Sequence, residues 1–396
     1  MQTVLRLREY EKKRFSCDQF SPETGEWLWR HFGKRVEVEF PALPLDNQWQ
    51  LTSKGWVGFI PLSREVGLLL EPKVALANLF GMLEVAYQLK EFEFLNGLIK
   101  CGDLDGYFDQ MAAVLAKRTL DRGRKGYYRA YLDRREDLPY VRGRVDLPAM
   151  MRSPWRVQID CEYQEHTGDV IENQILIWTL WCLSRSGRCS DGTLRYVRRA
   201  YRDLAGIATT VPHLSDECVN RLYNRLNQDY EPLHALCRFF LEHQAIPAVE
   251  LGGRRVLPFL VDMARLFELF VAKWLQAHSP EEWEVREQQQ VVLDAQQGLQ
   301  FKIDLVLQDA RTGAALAVLD TKYKDPKSIS SDDVQQVVAY AVARDARDAV
   351  LIYPAPPPLT CARVGDVAVH FLAFDLAGDL DEAGHRLLED LRDIAV

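Results

Sequence analysis

Hydrophobic and polar residues alternate with two different periods along this chain, and the period changes near residues 75 and 250. Residues 1–75 contain short apolar runs bounded by Gly, Pro and Ser, a pattern typical of β-strands. Ser21-Pro22 predicts one helix over Ser21–His31, because serine caps a helix and proline suits its first turn. The predicted strands are Val36–Phe40, Trp49–Thr52, Gly55–Ile60 and Gly67–Leu70. This part is therefore expected to be a β-rich N-terminal region.

Residues 76–250 favour helices, because their apolar positions recur every three or four residues. Between Ala75 and Leu89 the apolar side chains form one stripe, at positions 76, 79, 80, 83, 86 and 87. Further helices are predicted over 104–121, 170–185, 191–204, 215–226 and 230–244. Two strand-like segments cover 140–145 and 155–163. We expect a mainly helical middle domain.

Residues 251–396 alternate between helices and strands, which predicts an α/β domain. Helices are expected over Leu260–Ala277, over Ser331–Ala343, where Ser and two Asp residues suit a helix start, and over 381–393. Strands are expected near 283–294, 301–308, 314–321, 349–353 and 367–374. The whole chain is thus predicted to be a multidomain α+β protein with domains 1–75, 76–250 and 251–396.

The composition is that of an ordinary soluble protein, with 396 residues of which 47% are hydrophobic and 27% charged. No apolar stretch is long enough to span a membrane, and Met1–Arg6 lacks the pattern of a signal peptide. The eight cysteines contain no Cys-x-x-Cys pair, so we expect reduced thiols in a cytoplasmic protein without a zinc site. A net charge of −8 argues against a chain that coats nucleic acid, but it allows a local basic groove.

Two acids and a lysine converge in a predicted hairpin of the C-terminal domain. Asp304 lies in one strand, and Asp320-Thr321-Lys322 ends the next, with a turn signal at Asp309–Gly313 between them. The midpoint of Asp304 and Asp320 falls at residue 312, inside the turn, so the two carboxylates are expected opposite each other. Asp320 and Lys322 share one face because side chains alternate along a strand.

This combination suits metal-dependent cleavage of phosphodiesters. Two acids can hold Mg²⁺, which polarises a phosphate and acidifies a bound water. Lys322 can orient or deprotonate that water. Glu268 adds an acid within an apolar helix, and Gln336 and Tyr340 share a helix face four residues apart. The alternative is a solvated hairpin with charges on its outer face.

The set Asp304, Asp320-Thr321-Lys322 and Gln336-x-x-x-Tyr340 resembles the D…(D/E)xK…QxxxY pattern of RecB-like PD-(D/E)xK nucleases. The sequence is more similar still to the McrC family, the nuclease subunits of the McrBC restriction system directed at 5-methylcytosine. Two departures are an Asp in the acid-x-Lys motif and Ile303 in place of the usual Pro, and neither removes a carboxylate. The McrC-like segments are 55–58, 71–74, 141–144, 167–169, 172–173, 262–268 and 319–324.

The resemblance implies a restriction-endonuclease-like PD-(D/E)xK domain that cuts double-stranded DNA with Mg²⁺. Asp304 and Asp320 would bind the metal, Lys322 would position or activate water, and Glu268 would assist at the metal. Gln336 and Tyr340 would support the site or touch the DNA backbone. The implied partner is a ring of McrB-like AAA+ GTPase. The N-terminal region would stimulate it, and the N-terminal β-rich region and the helical middle would contact it.

The sequence contains no Gly-x-x-x-x-Gly-Lys-Ser/Thr motif, so this chain is not expected to bind nucleotide through a P-loop. A GTP-driven motor would then be a separate polypeptide. Two alternatives stay open. One is a stand-alone RecB-like repair nuclease that needs metal alone, and the other is a non-catalytic adaptor of an AAA+ motor.

Residues 117–144 form a basic stretch with interleaved tyrosines. It can contact a phosphate backbone, form a solvated face balanced by nearby acids, or dock onto an acidic partner. Within it, Arg142-Gly143-Arg144 predicts a tight bend, for which a structural use is favoured. Glu165, His166 and Asp169 lack a second histidine and predict a surface cluster rather than a metal site. The balancing acids would be Asp133, Glu136 and Asp137.

Overall fold

The structure is a computed structural model that describes residues 3–63, 66–89, 104–152, 155–219, 221–243, 249–251, 254–256, 259–294 and 299–395. The fold is mixed α+β and divides into two compact units. Unit 1 comprises residues 1–104, 243–253 and 258–396, and unit 2 comprises residues 105–242 and 254–257. Among the described helices, none combines the length and apolar character needed to cross a membrane.

The N-terminal part of unit 1 contains short strands and two helices, as its alternating pattern predicts. Trp49 is fully buried, and its indole ring leaves no room for a Cβ at position 25, which is a glycine. Trp49 thus packs in the core, whereas Trp29 is exposed. The elements are β1 (Thr3–Arg8), β2 (Lys12–Phe15), α1 (Pro22–Phe32), β3 (Val36–Glu39), β4 (Trp49–Ser53), β5 (Trp56–Pro61), β6 (Val66–Glu71) and α2 (Leu76–Ala86).

Unit 2 combines helices with a three-stranded antiparallel sheet. The predicted helix over 215–226 is wrong: the described residues there form only a short 3₁₀ turn, and Leu222 is almost fully exposed. The elements are α3 (Leu104–Lys125), β7 (Ala130–Leu138), β8 (Arg144–Val145), α4 (Leu147–Arg152), β9 (Ile159–Thr167), α5 (Ile171–Arg185), α6 (Asp191–Ala205) and α7 (Tyr230–His243). The sheet order is β7-β9-β8.

The remaining elements begin with two short strands, β10 (Val249–Leu251) and β11 (Arg254–Val256). The helix predicted from Leu260 starts later, because Asp262 caps it by accepting hydrogen bonds from two backbone N–H groups. The residues before it form a strand that pairs with β5. The other elements are β12 (Phe259–Asp262), α8 (Met263–His278), β13 (Trp283–Asp294), β14 (Leu299–Asp309), β15 (Ala315–Thr321), α9 (Ser331–Ala343), β16 (Asp348–Tyr353), β17 (Cys361–Val364), β18 (Val367–Ala373) and α10 (Leu380–Ile394).

The C-terminal part of unit 1 is built on a six-stranded mixed sheet with the order β13-β14-β15-β16-β18-β17. Strands β13 to β15 are antiparallel, whereas β15, β16 and β18 are mutually parallel. Helix α8 contacts β13 and β15, and α9 contacts β15, β16 and β18. Buried Val318, Val337 and Leu351 belong to the core between α9 and the sheet. The central strand β15 therefore ends, at Asp320 and Thr321, inside a well-packed structure.

Candidate active site

The β14–β15 hairpin brings Asp304 and Asp320 together. Leu305 pairs with Leu319 and Val306 with Val318, so the next position away from the turn places the two acids opposite each other. The turn itself is held by Asp309, whose carboxylate accepts hydrogen bonds from two backbone N–H groups. The spacing of the two acids thus predicts their position correctly.

Both carboxyl groups lie in a poorly hydrated environment. Asp320 is 1% exposed, and Asp304 is half-buried. Burial raises the pKa of Asp304, and the neighbouring Asp320 carboxylate raises it further. Burial also raises the pKa of Asp320, and a hydrogen bond between the two groups favours the proton on Asp304. Two acids this close are stabilised by a cation.

Lys322 supplies one positive charge at this position. Its Nζ lies 2.7 Å from Asp320 Oδ2 and donates a hydrogen bond of 2.9 Å to Gln336 Oε1. Burial lowers the pKa of Lys322, but the Asp320 carboxylate outweighs it, and the net pKa is raised. The side chain is therefore an ammonium at neutral pH.

Gln336 and Tyr340 of α9 continue this chain of hydrogen bonds. The Gln336 amide nitrogen donates to the Tyr340 hydroxyl over 2.8 Å, which leaves the amide oxygen for Lys322. The Tyr340 ring packs edge-on against Phe301, with centroids 5.3 Å apart. The two α9 residues therefore hold the Lys322 ammonium in place.

Glu268 approaches the same acids from α8. Burial raises its pKa, and the charge of Asp304 contributes to the shift. Its Oε1 accepts a long hydrogen bond of 3.4 Å from the Gln288 amide. Hydrogen bonds, strand pairing or charge interactions thus link all six residues predicted from the sequence.

Gln288 is an addition that the sequence did not predict. It occupies the place opposite Asp304 in β13, between the pairs Glu287–Leu305 and Gln289–Ile303. Its φ of +46° is unusual for a residue with a side chain and interrupts the strand. The run of glutamines at 288–290 carries no pattern that distinguishes this residue.

The donor set is compatible with a hard divalent cation such as Mg²⁺. Apart from the ion pair with Lys322, the buried Asp320 Oδ2 has no hydrogen-bond partner among the described residues. Nor do those residues contain a group of three or more His, Cys, Asp or Glu side chains arranged for a metal. Mg²⁺ commonly uses one or two carboxylates and keeps several waters. Asp304 and Asp320 fit that pattern.

The basic stretch at 117–144 is largely neutralised in its second half. Arg135 forms ion pairs with Asp146, Asp160 and Glu162, and Arg134 pairs with Glu165. These acids follow the stretch in the chain, so the predicted balancing acids Asp133, Glu136 and Asp137 are not the partners of these two arginines.

The predicted bend at Arg142-Gly143-Arg144 is confirmed. Gly143 has a φ of +69°, and a Cβ there would lie 2.3 Å from the carbonyl oxygen of Glu162. Arg142 stacks over the Tyr163 ring at 3.9 Å, which agrees with a structural use. His166 packs against Tyr131, and Asp169 accepts hydrogen bonds from Thr209. Neither His166 nor Asp169 forms part of a described metal cluster.

Comparison with known proteins identifies a matching family and similar solved structures. Residues 51–354 match the family described as the McrBC 5-methylcytosine restriction system component. No curated protein matches the chain. A chain from a Thermococcus gammatolerans assembly of McrB AAA+ hexamers with bound McrC shares the fold, with a TM-score of 0.56, 19% identity and coverage of 99% of this chain and 100% of that chain.

A chain of the Thermococcus gammatolerans McrBC complex, solved by cryo-EM, aligns with a TM-score of 0.42 and 19% identity, covering 72% of this chain and 90% of that chain. The family match extends over well more than half of the sequence. The chain therefore belongs to the McrBC family.

Proposed function

We propose that this protein is the endonuclease subunit of a GTP-dependent, modification-specific restriction complex. The observation that carries the proposal is the meeting of Asp304, Asp320 and Lys322 at one position of the sheet. The mixed sheet with helices α8 and α9 against it supports a PD-(D/E)xK nuclease domain. The substrate is double-stranded DNA, and the complex acts in the cytoplasm.

The chain's own residues divide the work of phosphodiester hydrolysis. Asp304 and Asp320 would hold Mg²⁺, which when bound polarises the scissile phosphate and makes water a better nucleophile. The Lys322 ammonium orients the attacking water and offsets negative charge that develops on the phosphate. Gln336, itself fixed by Tyr340, keeps the ammonium in position. Glu268 adds negative charge beside Asp304 and assists metal binding.

The proposed partner is a ring of McrB-like AAA+ GTPase. The Thermococcus assembly contains McrB hexamers with bound McrC, and the present sequence has no P-loop of its own. Unit 2 exposes several large apolar side chains between residues 140 and 157, and exposed apolar surface is typical of protein interfaces. We assign these side chains to the partner; they are Tyr140, Val141, Leu147, Met151, Trp155 and Val157.

Reconstitution with the GTPase ring, methylated DNA, GTP and Mg²⁺ tests this function. We expect Lys322→Ala to abolish cleavage and to leave stimulation of GTP hydrolysis intact, because Lys322 is not among the residues that we assign to the partner. The matched control is Lys327→Ala, which removes an exposed lysine outside the site and should cut normally.

Three results would change the assignment. Cleavage by Lys322→Ala at the normal rate would show that the site is wrong. Cleavage by the wild type with metal alone would favour the stand-alone nuclease. GTPase stimulation without any cleavage would favour the adaptor.

A further inference from the structure

Helix α6 presents a stripe of four arginines to solvent. Their spacing of i, i+3, i+4 and i+7 places them on one helix face. All four are exposed, and they are Arg195, Arg198, Arg199 and Arg202. The opposite face of the helix is buried, through Thr193, Val197, Ala200 and Leu204. One face of α6 thus carries a single sign of charge.

Within the described structure, none of these arginines forms an ion pair with a carboxylate. Arg195 and Arg202 donate only to backbone oxygens one turn earlier. Like charges four residues apart destabilise a helix by about 0.2–0.5 kcal/mol per pair, and Arg195–Arg199 and Arg198–Arg202 are such pairs. This contrasts with Arg134 and Arg135 in β7, whose charges are met by acids of the fold. The stripe costs stability, and an external anion would offset that cost.

A groove of about 450 Å³ between the end of α3 and α6 extends the basic surface. Arg124, Arg129 and Arg199 line it, and Asp203 is the one acid of the lining, while Arg124 also pairs with Asp121. The Tyr127 hydroxyl is buried there without a hydrogen-bond partner among the described residues. An anionic oxygen in the groove would meet the guanidinium groups that line it.

We propose that the α6 stripe and this groove bind the phosphodiester backbone of double-stranded DNA. The inference rests on the proposed function, which makes duplex DNA the anion that the protein handles. The stripe spans about 10 Å of helix axis. Duplex DNA carries about six phosphates over that length. Guanidinium groups match phosphate geometry, and the net charge of −8 confines such binding to a local face.

Salt-dependent binding of a fluorescent duplex, measured by anisotropy in the Lys322→Ala background, tests the surface. The quadruple variant Arg195→Gln/Arg198→Gln/Arg199→Gln/Arg202→Gln should bind more weakly. The slope of log affinity against log salt should fall by about 3 to 4, since each phosphate contact contributes about 0.9. A control with the same charge change at exposed arginines elsewhere in unit 2 should keep the slope; it carries Arg152→Gln, Arg156→Gln, Arg185→Gln and Arg225→Gln.

Two double variants, Arg195→Gln/Arg198→Gln and Arg199→Gln/Arg202→Gln, guard against misfolding of the quadruple variant. Each should lower the slope by about half as much. Unchanged affinity and slope would overturn the inference, as would a wild type that does not bind the duplex. Loss of GTPase binding with intact DNA binding would identify an acidic protein as the ligand instead. A wild type that binds DNA through the stripe without ever cutting it supports the surface and overturns the nuclease assignment.

Discussion

Two neighbouring side chains, Lys322 and Tyr323, reach two different buried acids. Lys322 pairs with Asp320, which faces Asp304. Tyr323 donates a hydrogen bond of 3.2 Å to Glu9, which also accepts one of 3.1 Å from the backbone of Lys73. Burial raises the pKa of Glu9 as it does that of Asp320. The two acids are alike in burial and differ in their surroundings.

The difference shows that a buried acid with a raised pKa does not by itself mark a catalytic site. Glu9 meets a phenol and a backbone N–H, and the Tyr323 ring packs near Phe267, so this acid joins the N-terminal strands to the C-terminal sheet. Asp320 instead meets a second carboxyl group and an ammonium, the groups that phosphodiester hydrolysis uses. We therefore assign chemistry to Asp320 and structural support to Glu9.

The sharpest test exchanges each acid for its amide. Asp304→Asn and Asp320→Asn should each reduce single-turnover DNA cleavage on the order of 10²–10³-fold or more, because charge stabilisation at the reacting phosphate is lost. The melting temperature of Asp304→Asn should stay equal or rise, since repulsion between two buried carboxyl groups is relieved. Asp320→Asn should melt lower than Asp304→Asn, because it also loses the ion pair with Lys322. Glu9→Gln should cut at a normal rate. An equal loss of cleavage rate in Glu9→Gln would show that Asp320 and Glu9 do not differ in function as we assign them.

A smaller effect is expected at the edge of the candidate site. Glu268→Gln removes charge next to Asp304, and Gln288→Ala removes the donor that orients Glu268. Supporting groups of this kind typically change metal affinity or activity about 10–100-fold. Both variants should need more Mg²⁺ for half-maximal cleavage, with Glu268→Gln the more affected. If both variants need the same Mg²⁺ concentration as the wild type for half-maximal cleavage, neither residue belongs to the site.

Local patterns account for the parts of the fold that the sequence predicts well. The β14–β15 hairpin and α9 follow from a turn signal and a capped amphipathic run, and both lie within two residues of their predicted bounds. The sequence predicts a helix from Leu260, but the first residues of this range belong to strand β12. Their apolar side chains become a strand only by pairing with β5, some two hundred positions earlier. Strand β7 has no apolar alternation, since its pairing with β9 rests on charged side chains.

The same division applies to the candidate sites. Asp304, Asp320 and Lys322 are close in sequence and joined by one turn, so their convergence was predictable. The place of Gln288 in the site depends on its left-handed backbone and on its register with Asp304. Neither feature can be predicted from the local sequence. The spacing of the α6 arginines is visible in the sequence. Whether their charges are balanced depends on which acids the fold brings near them.

The smallest expected effect concerns the pH dependence of stability at Glu9. Because the pKa of Glu9 is raised above its ordinary value of 4.5, the folded protein binds this proton more tightly than the unfolded chain. Its contribution to stability is therefore complete below that value and is lost as pH rises through the raised pKa. Glu9→Gln has no charge to bury and keeps an acceptor for Tyr323 and Lys73.

We therefore expect the free energies of unfolding of Glu9→Gln and the wild type to agree at low pH, with the variant more stable at neutral pH. Urea denaturation across this pH range measures the difference between the two free energies of unfolding. The other titrating groups contribute equally to both proteins and do not affect this difference. Glu9→Ala is the matched control, and at all pH values it should be about 1–3 kcal/mol less stable than Glu9→Gln, because it leaves two buried donors unpaired. If instead the wild type gains stability over Glu9→Gln as pH rises, Glu9 is held ionised by its surroundings. Its pKa would then be lowered, and Glu9 and Asp320 would no longer share a raised pKa.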